Sequence, residues 1–264
     1  MGSKQTMLVA QRHREIKSQL ARDGSVRVAD LARVFGVTEE TVRRDLEKLE
    51  AEGALRRSHG GAVRLENAEE REAPYNERES AFLAEKRAIA REAVRLIEPG
   101  ETILLDPSST ALQLARLLPD HPLTVLTNAM KVAIELANRP RIRVVCTGGV
   151  LSAASLSFVG PKAEDVLREY RVHKLFFSCR GIDTTRGLSD SNEWQALLKR
   201  AMLAISEQRF LLADSSKFGA NALVEFAKLD GVNEIITDAK LDSQFAQEIQ
   251  ARGVRLRLAG REKA

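Results

Sequence analysis

Apolar positions near the N-terminus fall into three short helical patterns. In the first, over roughly 8–21, Val9, Ile16 and Leu20 share a face while Arg12, Arg14 and Lys17 point to solvent, and Asp23-Gly24 stops it. A short extended stretch leads into a second helix, Val28 to Phe35, closed by Gly36, a residue suited to a left-handed cap. The third starts at Thr38, an N-cap followed by Glu39 and Glu40 in the first turn, and carries Val42, Leu46 and Leu49 at i, i+4 and i+7. The pattern then turns extended. Residues 55–63 read as two short arms around a Gly60-Gly61 turn, a β-hairpin. Residues 65–82 are dense in charge and broken by Pro74, which predicts a domain boundary with a partly helical linker.

Beyond residue 83 the period alternates between two and 3.6. A helix from Glu85 to Ile97 ends at Pro99-Gly100; strands follow at 102–106, 123–127, 143–147, 174–178, 210–214, 234–237 and 254–258. Helices are predicted between several of them, at 110–118, 130–138, 161–170, 194–206 and 243–252. Such alternation predicts a largely parallel sheet covered on both faces, so the fold class is α/β: a small N-terminal domain over 1–65, a linker over 66–82 and a larger, mostly parallel α/β domain over 83–264.

With 264 residues, two domains are expected, and 44% hydrophobic with 30% charged residues is an ordinary globular balance. No run approaches ~18 consecutive apolar residues and no export pattern opens the chain, so the expectation is a cytoplasmic protein without a membrane partner. Cys146 and Cys179 end strand-like runs without CxxC spacing or a nearby His cluster. They are expected to be buried small side chains, with no metal site and no cofactor.

Charge changes the picture more than composition does. The first 65 residues hold 13 Lys and Arg against 9 Asp and Glu, whereas the remainder is balanced at 28 each, so the whole excess of +4 sits in the head. A basic module on a neutral body suits a polyanion, because phosphate neutralisation releases counterions. Two helices joined by about four residues including Gly, the second exposing Thr and paired Arg, form the arrangement that enters a DNA major groove. The hairpin, with Arg56, Arg57 and His59, reads as a wing touching backbone. The candidate DNA contacts are Thr38, Thr41, Arg43, Arg44, Lys48, Arg56, Arg57 and His59. Asp45, an anion, is a poor DNA contact and is expected to orient a neighbouring Arg.

Thr38-Glu39-Glu40-Thr41-Val42-Arg43-Arg44-Asp45-Leu46, followed by His59-Gly60-Gly61-Ala62, resembles the winged helix-turn-helix of the DeoR family of bacterial transcriptional regulators. That resemblance implies that Thr41, Arg43 and Arg44 meet operator DNA.

In open parallel sheets ligands bind beyond the carboxyl ends of the strands. The residues there are Asp106, Pro107, Ser108, Ser109 and Thr110; Thr127 and Asn128; Gly148 and Gly149; Gly181 and Asp183; and Asp214 to Phe218, including Lys217. A Ser-Ser-Thr loop opening a helix offers hydroxyls and unpaired N–H groups to an anion, and Lys217 adds a point charge. With Gly160, Asn192, Glu193 and Lys199, these loops resemble the DeoR-family effector domain, a sugar-phosphate isomerase-like fold; with the head, the resemblance covers about nine tenths of the chain. It implies a repressor of a carbohydrate catabolic operon relieved by a phosphorylated sugar. The sequence departs from the family pattern at Pro107-Ser108 and at Ser178-Cys179-Arg180, where Arg180 adds a cation. The expected effector-binding set is Asp106, Ser108, Ser109, Thr110, Thr127, Asn128, Gly148, Gly149, Arg180, Gly181, Asp183, Glu193 and Lys217. The expected partners are double-stranded operator DNA, the phosphosugar and further copies of the chain, a dimer or tetramer, because such heads read paired half-sites.

The competing reading is an isomerase-like enzyme carrying a DNA-binding head, with Asp106, Asp183 and Glu193 moving protons and Lys217 holding phosphate. The fused head argues against it, and no catalytic residue is assigned. A purely architectural DNA binder would leave the strand-end loops without a purpose.

Overall fold

The computed structural model describes residues 7, 9–23, 25–52, 54–58, 60–64 and 74–260, and the chain divides into two compact units, residues 1–68 and 69–264.

The first unit contains α1 (Val9–Asp23), β1 (Ser25–Arg27), α2 (Val28–Phe35), α3 (Glu39–Ala51), β2 (Leu55–Ser58) and β3 (Gly61–Arg64). Its core joins Ile16 and Leu20 of α1, Leu31 and Phe35 of α2, and Val42, Leu46 and Leu49 of α3. Leu55 and Ala62 from the small antiparallel sheet, ordered β1-β3-β2, complete it. Gly36 ends α2 in the left-handed conformation, φ 64°, and Thr38 Oγ1 caps α3 by accepting from Thr41 N–H.

Several local expectations change here. Val9 is exposed, since it lies in the first turn ahead of the packed face. Arg12, expected in solvent, is buried, because Asp45 supplies a matching fork: Arg12 Nε to Asp45 Oδ2 at 2.6 Å and Nη2 to Oδ1 at 3.1 Å. Asp45 thus orients an arginine 33 residues away rather than its neighbours Arg43 and Arg44. Gly61 is not in the hairpin turn, since it pairs with Ser58. Gly61 is a strand residue pressed against β1, where a Cβ would come 2.0 Å from the Val26 carbonyl oxygen.

The second unit runs α4 (Tyr75–Ser80), α5 (Leu83–Val94), β4 (Thr102–Leu105), α6 (Ser109–Leu117), β5 (Leu123–Thr127), α7 (Met130–Leu136) and β6 (Ile142–Cys146). A hairpin follows, β7 (Val150–Ser152) and β8 (Ser157–Val159), then α8 (Pro161–Arg168), β9 (Val172–Phe177), β10 (Gly181–Asp183), β11 (Gly187–Asp190) and α9 (Glu193–Ala204). The unit ends with β12 (Ser206–Leu212), β13 (Val224–Ala227), β14 (Glu234–Asp238), α10 (Ser243–Ala251) and β15 (Arg255–Ala259).

Seven strands make one parallel sheet in the order β15-β14-β12-β9-β4-β5-β6. Alternation along each strand splits the core. Ile103, Leu105, Phe176 and Phe210 face α5, α6 and α7, whereas Leu104, Leu175, Phe177 and Leu211 face α8, α9 and α10. Cys179 is buried as expected, but Cys146 is exposed because β6 is a sheet edge.

The β7–β8 hairpin and a small antiparallel sheet, β10-β11-β13, lie outside the expected alternation. Their strands are three or four residues long, too short to print a period. No helix among the described residues is long and apolar enough to cross a membrane.

Candidate functional site

The strand order reverses at β4. The chain moves from β4 through β5 to β6, then returns to the other side of β4 with β9 and continues to β12, β14 and β15. The connections leaving β4 and β9 therefore diverge, and a crevice opens where their carboxyl ends meet. A cavity of ≈ 260 Å³ occupies that point. The loop after β4 contributes Asp106 to Thr110, the loop after β9 contributes Ser178 to Arg180, and the loop after β12 contributes Asp214 and Lys217.

One corner is a buried charge cluster. Lys199 of α9 sends its Nζ to Asp190 Oδ2 and to the Ser178 carbonyl, both at 2.6 Å, and lies 3.5 Å from Asp106 Oδ2. Burial by itself would depress this ammonium; attraction to Asp190 and then Asp106 outweighs it and holds the pKa above the ordinary lysine value. Asp106 spends its oxygens on the backbone, Oδ1 accepting from Ser108 N–H and Oδ2 from Ser178 N–H, so it ties the two diverging loops together. Beside it, burial pushes the Cys179 thiol up to about 12, which keeps it an inert thiol.

The opposite wall is built to receive negative charge. Ser108 caps α6 through Ala111 N–H, leaving the first N–H groups of that helix for a ligand. Lys217 follows Asp214, whose Oδ1 accepts from Ser216 N–H in a short 3-10 turn, Ser215–Lys217. Burial lowers the Lys217 pKa, Asp214 opposing and Arg180 adding to the fall, so an arriving anion would meet a poorly solvated cation. Lys86 of α5 is buried in the same lining, and its pKa is lowered to about 8 by desolvation.

Of the expected effector residues, Asp106, Ser108, Ser109, Thr110, Arg180 and Lys217 come together in this lining. Thr127, Asn128, Gly148 and Gly149 do not, because β5 and β6 lie on the far side of the reversal. Thr127 Oγ1 donates to the Leu105 carbonyl and accepts from Ala129 N–H, and Asn128 Nδ2 donates to the Phe158 carbonyl. Gly149, at φ 113°, passes the β7–β8 hairpin so closely that a Cβ would sit 2.7 Å from the Val159 carbonyl oxygen. Gly181 starts β10, Asp183 caps the β10–β11 turn through Thr185 and Arg186 N–H, and Glu193 is exposed in the first turn of α9.

Sequence reasoning missed Arg78, Lys86, Asp190, Ser191 and Gln195 as lining residues. Asp190 ends β11 and Ser191 follows it, which the alternation could not reveal, and Lys86 and Gln195 look like ordinary helix positions. Among the described residues, Ser191 Oγ, buried in the lining, finds no hydrogen-bond partner. Among the described residues no cluster of His, Cys, Asp and Glu could hold a metal ion.

In the first unit, Thr38, Arg43, Arg44 and Lys48 are exposed on α3, and Thr41 is half-buried beside Thr38. Arg43 pairs with Glu39 at 2.7 Å and Arg44 with Glu40 at 3.4 Å. Exposed i,i+4 pairs contribute only ~0.3–0.5 kcal/mol, so exchanging them for phosphate or a base edge costs little. Arg57 of the hairpin is exposed and pairs with Glu47. The Arg56 side chain and His59 lie outside the described residues.

Residues 12–68 match the DeoR-like helix-turn-helix domain and residues 82–239 match the DeoR C terminal sensor domain. The chain is 49% identical to an uncharacterized HTH-type transcriptional regulator of Bacillus subtilis, covering 95% of this chain and 96% of that one. It is 34% identical to a putative aga operon transcriptional repressor of Escherichia coli O157:H7, covering 98% and 97%. It is also 39% identical to an L-fucose operon activator of Haemophilus influenzae, covering 83% and 88%.

Proposed function

Because the chain belongs to the DeoR family and is a DNA-binding transcriptional regulator, we propose that its second unit senses a small phosphorylated sugar and that binding it relieves repression of a carbohydrate operon. The observation that carries this reading is the cavity at the strand-order reversal. It joins a capped helix N-terminus, Ser108 to Thr110, with Arg180 and Lys217, the donors a phosphate monoester needs. Its ≈ 260 Å³ falls below the ~300–1,000 Å³ usual for larger ligands, which favours a monosaccharide phosphate. The unpartnered Ser191 hydroxyl suits a sugar hydroxyl.

The isomerase reading loses its acids in this geometry: Asp106 is engaged by two backbone N–H groups and Lys199, and Asp183 and Glu193 are absent from the lining. Operator recognition by paired heads is the reading we favour for DNA, with half-sites one or more helical turns apart. The relatives include a named repressor and a named activator, so the sign of regulation is read from the experiment.

Titrating the protein onto its upstream intergenic DNA at fixed salt, with and without sugar phosphates, tests the reading. Specific binding weakened by one phosphosugar supports it; specific binding indifferent to every one removes the sensor. Lys217→Ala is expected to leave operator affinity unchanged while the response to the effector is lost, and an undiminished response would take Lys217 out of the site. Arg43→Ala is expected to weaken operator binding by ~1–3 kcal/mol at matched salt without loss of thermal stability. Unchanged binding would refute α3 as the reading helix.

A further inference from the structure

The wall of the cavity that closes it toward the N-terminal side of the sequence is not part of the α/β alternation. It is α4 and the turn after it: Glu77, Arg78, Ala81 and Phe82 line the cavity. This is the segment by which the chain enters the second unit.

Six residues are too few for a helix to stand by itself, so α4 persists only through what holds it. Tyr75 is buried and its N–H donates to the Ala154 carbonyl at 3.0 Å. Glu79 pairs with Arg116 at 2.9 Å and Lys131 at 3.2 Å. Further fastening comes from cavity residues. Lys86 Nζ donates to the carbonyls of Arg78 and of Ala81, the latter at 2.5 Å, and Ser109 Oγ donates to the Arg78 carbonyl at 3.1 Å.

Those two donors are also the ones an anion in the cavity would seek. Among the described residues Lys86 hydrogen-bonds neutral carbonyls, whereas Lys199 is already matched with carboxylates. A phosphate oxygen is the stronger acceptor for an ammonium. Burial with carbonyl partners leaves the Lys86 pKa at about 8, so it has more to gain from a dianion than a solvated lysine would. The turn being held is also strained: Phe82, a bulky residue, sits in the left-handed region at φ 52°, and it is half exposed. Releasing Phe82 removes nothing from the core, and of α4 itself only Tyr75 belongs to it.

We propose that an anionic effector exchanges with α4 for Lys86 Nζ and Ser109 Oγ, so that filling the cavity unfastens α4 from the α/β unit. The proposal rests on the sensor reading and gives that cavity its output. Binding energy acts on the lining segment that precedes the α/β alternation in sequence, and the coupling is the differential affinity of the ligand for the unfastened state.

The test is amide hydrogen exchange on the full-length protein with ribose 5-phosphate, fructose 6-phosphate, glycerol 3-phosphate or inorganic phosphate, each first scored by thermal shift. With a probe that raises the melting temperature, amides of residues 75–82 are expected to exchange at least ~10-fold faster. Those of 106–111 and 214–217 slow over the same interval. Unchanged or slower exchange at 75–82 under a bound probe overturns the proposal while leaving the sensor reading intact; no thermal shift with any probe removes both. Lys86→Met without ligand is expected to show the fast exchange already, and the milder Ser109→Ala a partial form of it. Full protection of 75–82 in both variants, each folded, also overturns it.

Discussion

Lys199→Met is expected to lower the stability of the α/β unit by ~3–5 kcal/mol, a loss of roughly 6–20 °C in melting temperature for a unit of this size. The lysine lies between Asp190 and Asp106, both buried, and one ammonium serves both carboxylates as well as the Ser178 carbonyl. Removing it leaves two largely buried carboxylates without their counter-ion. Against a typical total of ~5–15 kcal/mol this is a large share. Thermal denaturation checks it, and a shift of less than ~1 kcal/mol would mean that the cluster does not hold the loops after β4 and β9. The companion variant carrying Asp190→Asn as well is expected to regain part of the loss, because the penalty arises from unpaired charge and not from missing contacts. Since the same cluster shapes the cavity floor, effector response should fail together with stability in the single variant.

Asp45→Ala is expected to have a comparable effect confined to the other unit. Its carboxylate receives the Arg12 fork and lies 3.2 Å from His13 Nε2, all packed between α1 and α3. Without it the buried Arg12 guanidinium retains the Met7 carbonyl. A domain of some 60 residues buries too little surface to absorb ~3–5 kcal/mol, so the head should melt separately at ambient temperature. Operator binding would then be lost at every salt concentration while the melting of the α/β unit stays as in the wild type. This separates Asp45 from Arg43, whose loss should weaken binding in a folded head. A head that keeps its wild-type melting temperature in Asp45→Ala would show that the pair is not structural. Replacing Arg12 and Asp45 together by Met and Leu should restore folding, since the cost lies in breaking the pair and not in lacking it.

Much of this architecture could be read from spacing. The seven parallel strands and the larger helices between them announce themselves because each is long enough to show its period, and because buried parallel strands are nearly continuous apolar runs such as Leu104-Leu105 and Leu211-Leu212. The three-helix head and its hairpin were equally legible, with Gly36 and Thr38 punctuating them. The small sheet of β10, β11 and β13 was not, since its strands are three or four residues long and β11 finds β13 across more than 30 positions. Arg12 could not be distinguished from a surface arginine for a related reason: its partner Asp45 is distant in sequence, and helical spacing reports a face, not what covers it.

The site divides along the same line. Sequence alone determined which chemistry was present at the strand ends, a Ser-Ser-Thr helix start and a lysine-bearing loop, because that chemistry is local: an N-cap and its freed N–H groups lie within four residues. It could not choose among the strand ends. Only the strand order, with the reversal at β4, selects the loops after β4, β9 and β12 and sets aside those after β5 and β6. Strand order depends on long-range pairing, to which each segment's own periodicity is blind, and the same holds for Lys86, Asp190 and Ser191, which reach the cavity only once the sheet has closed around it.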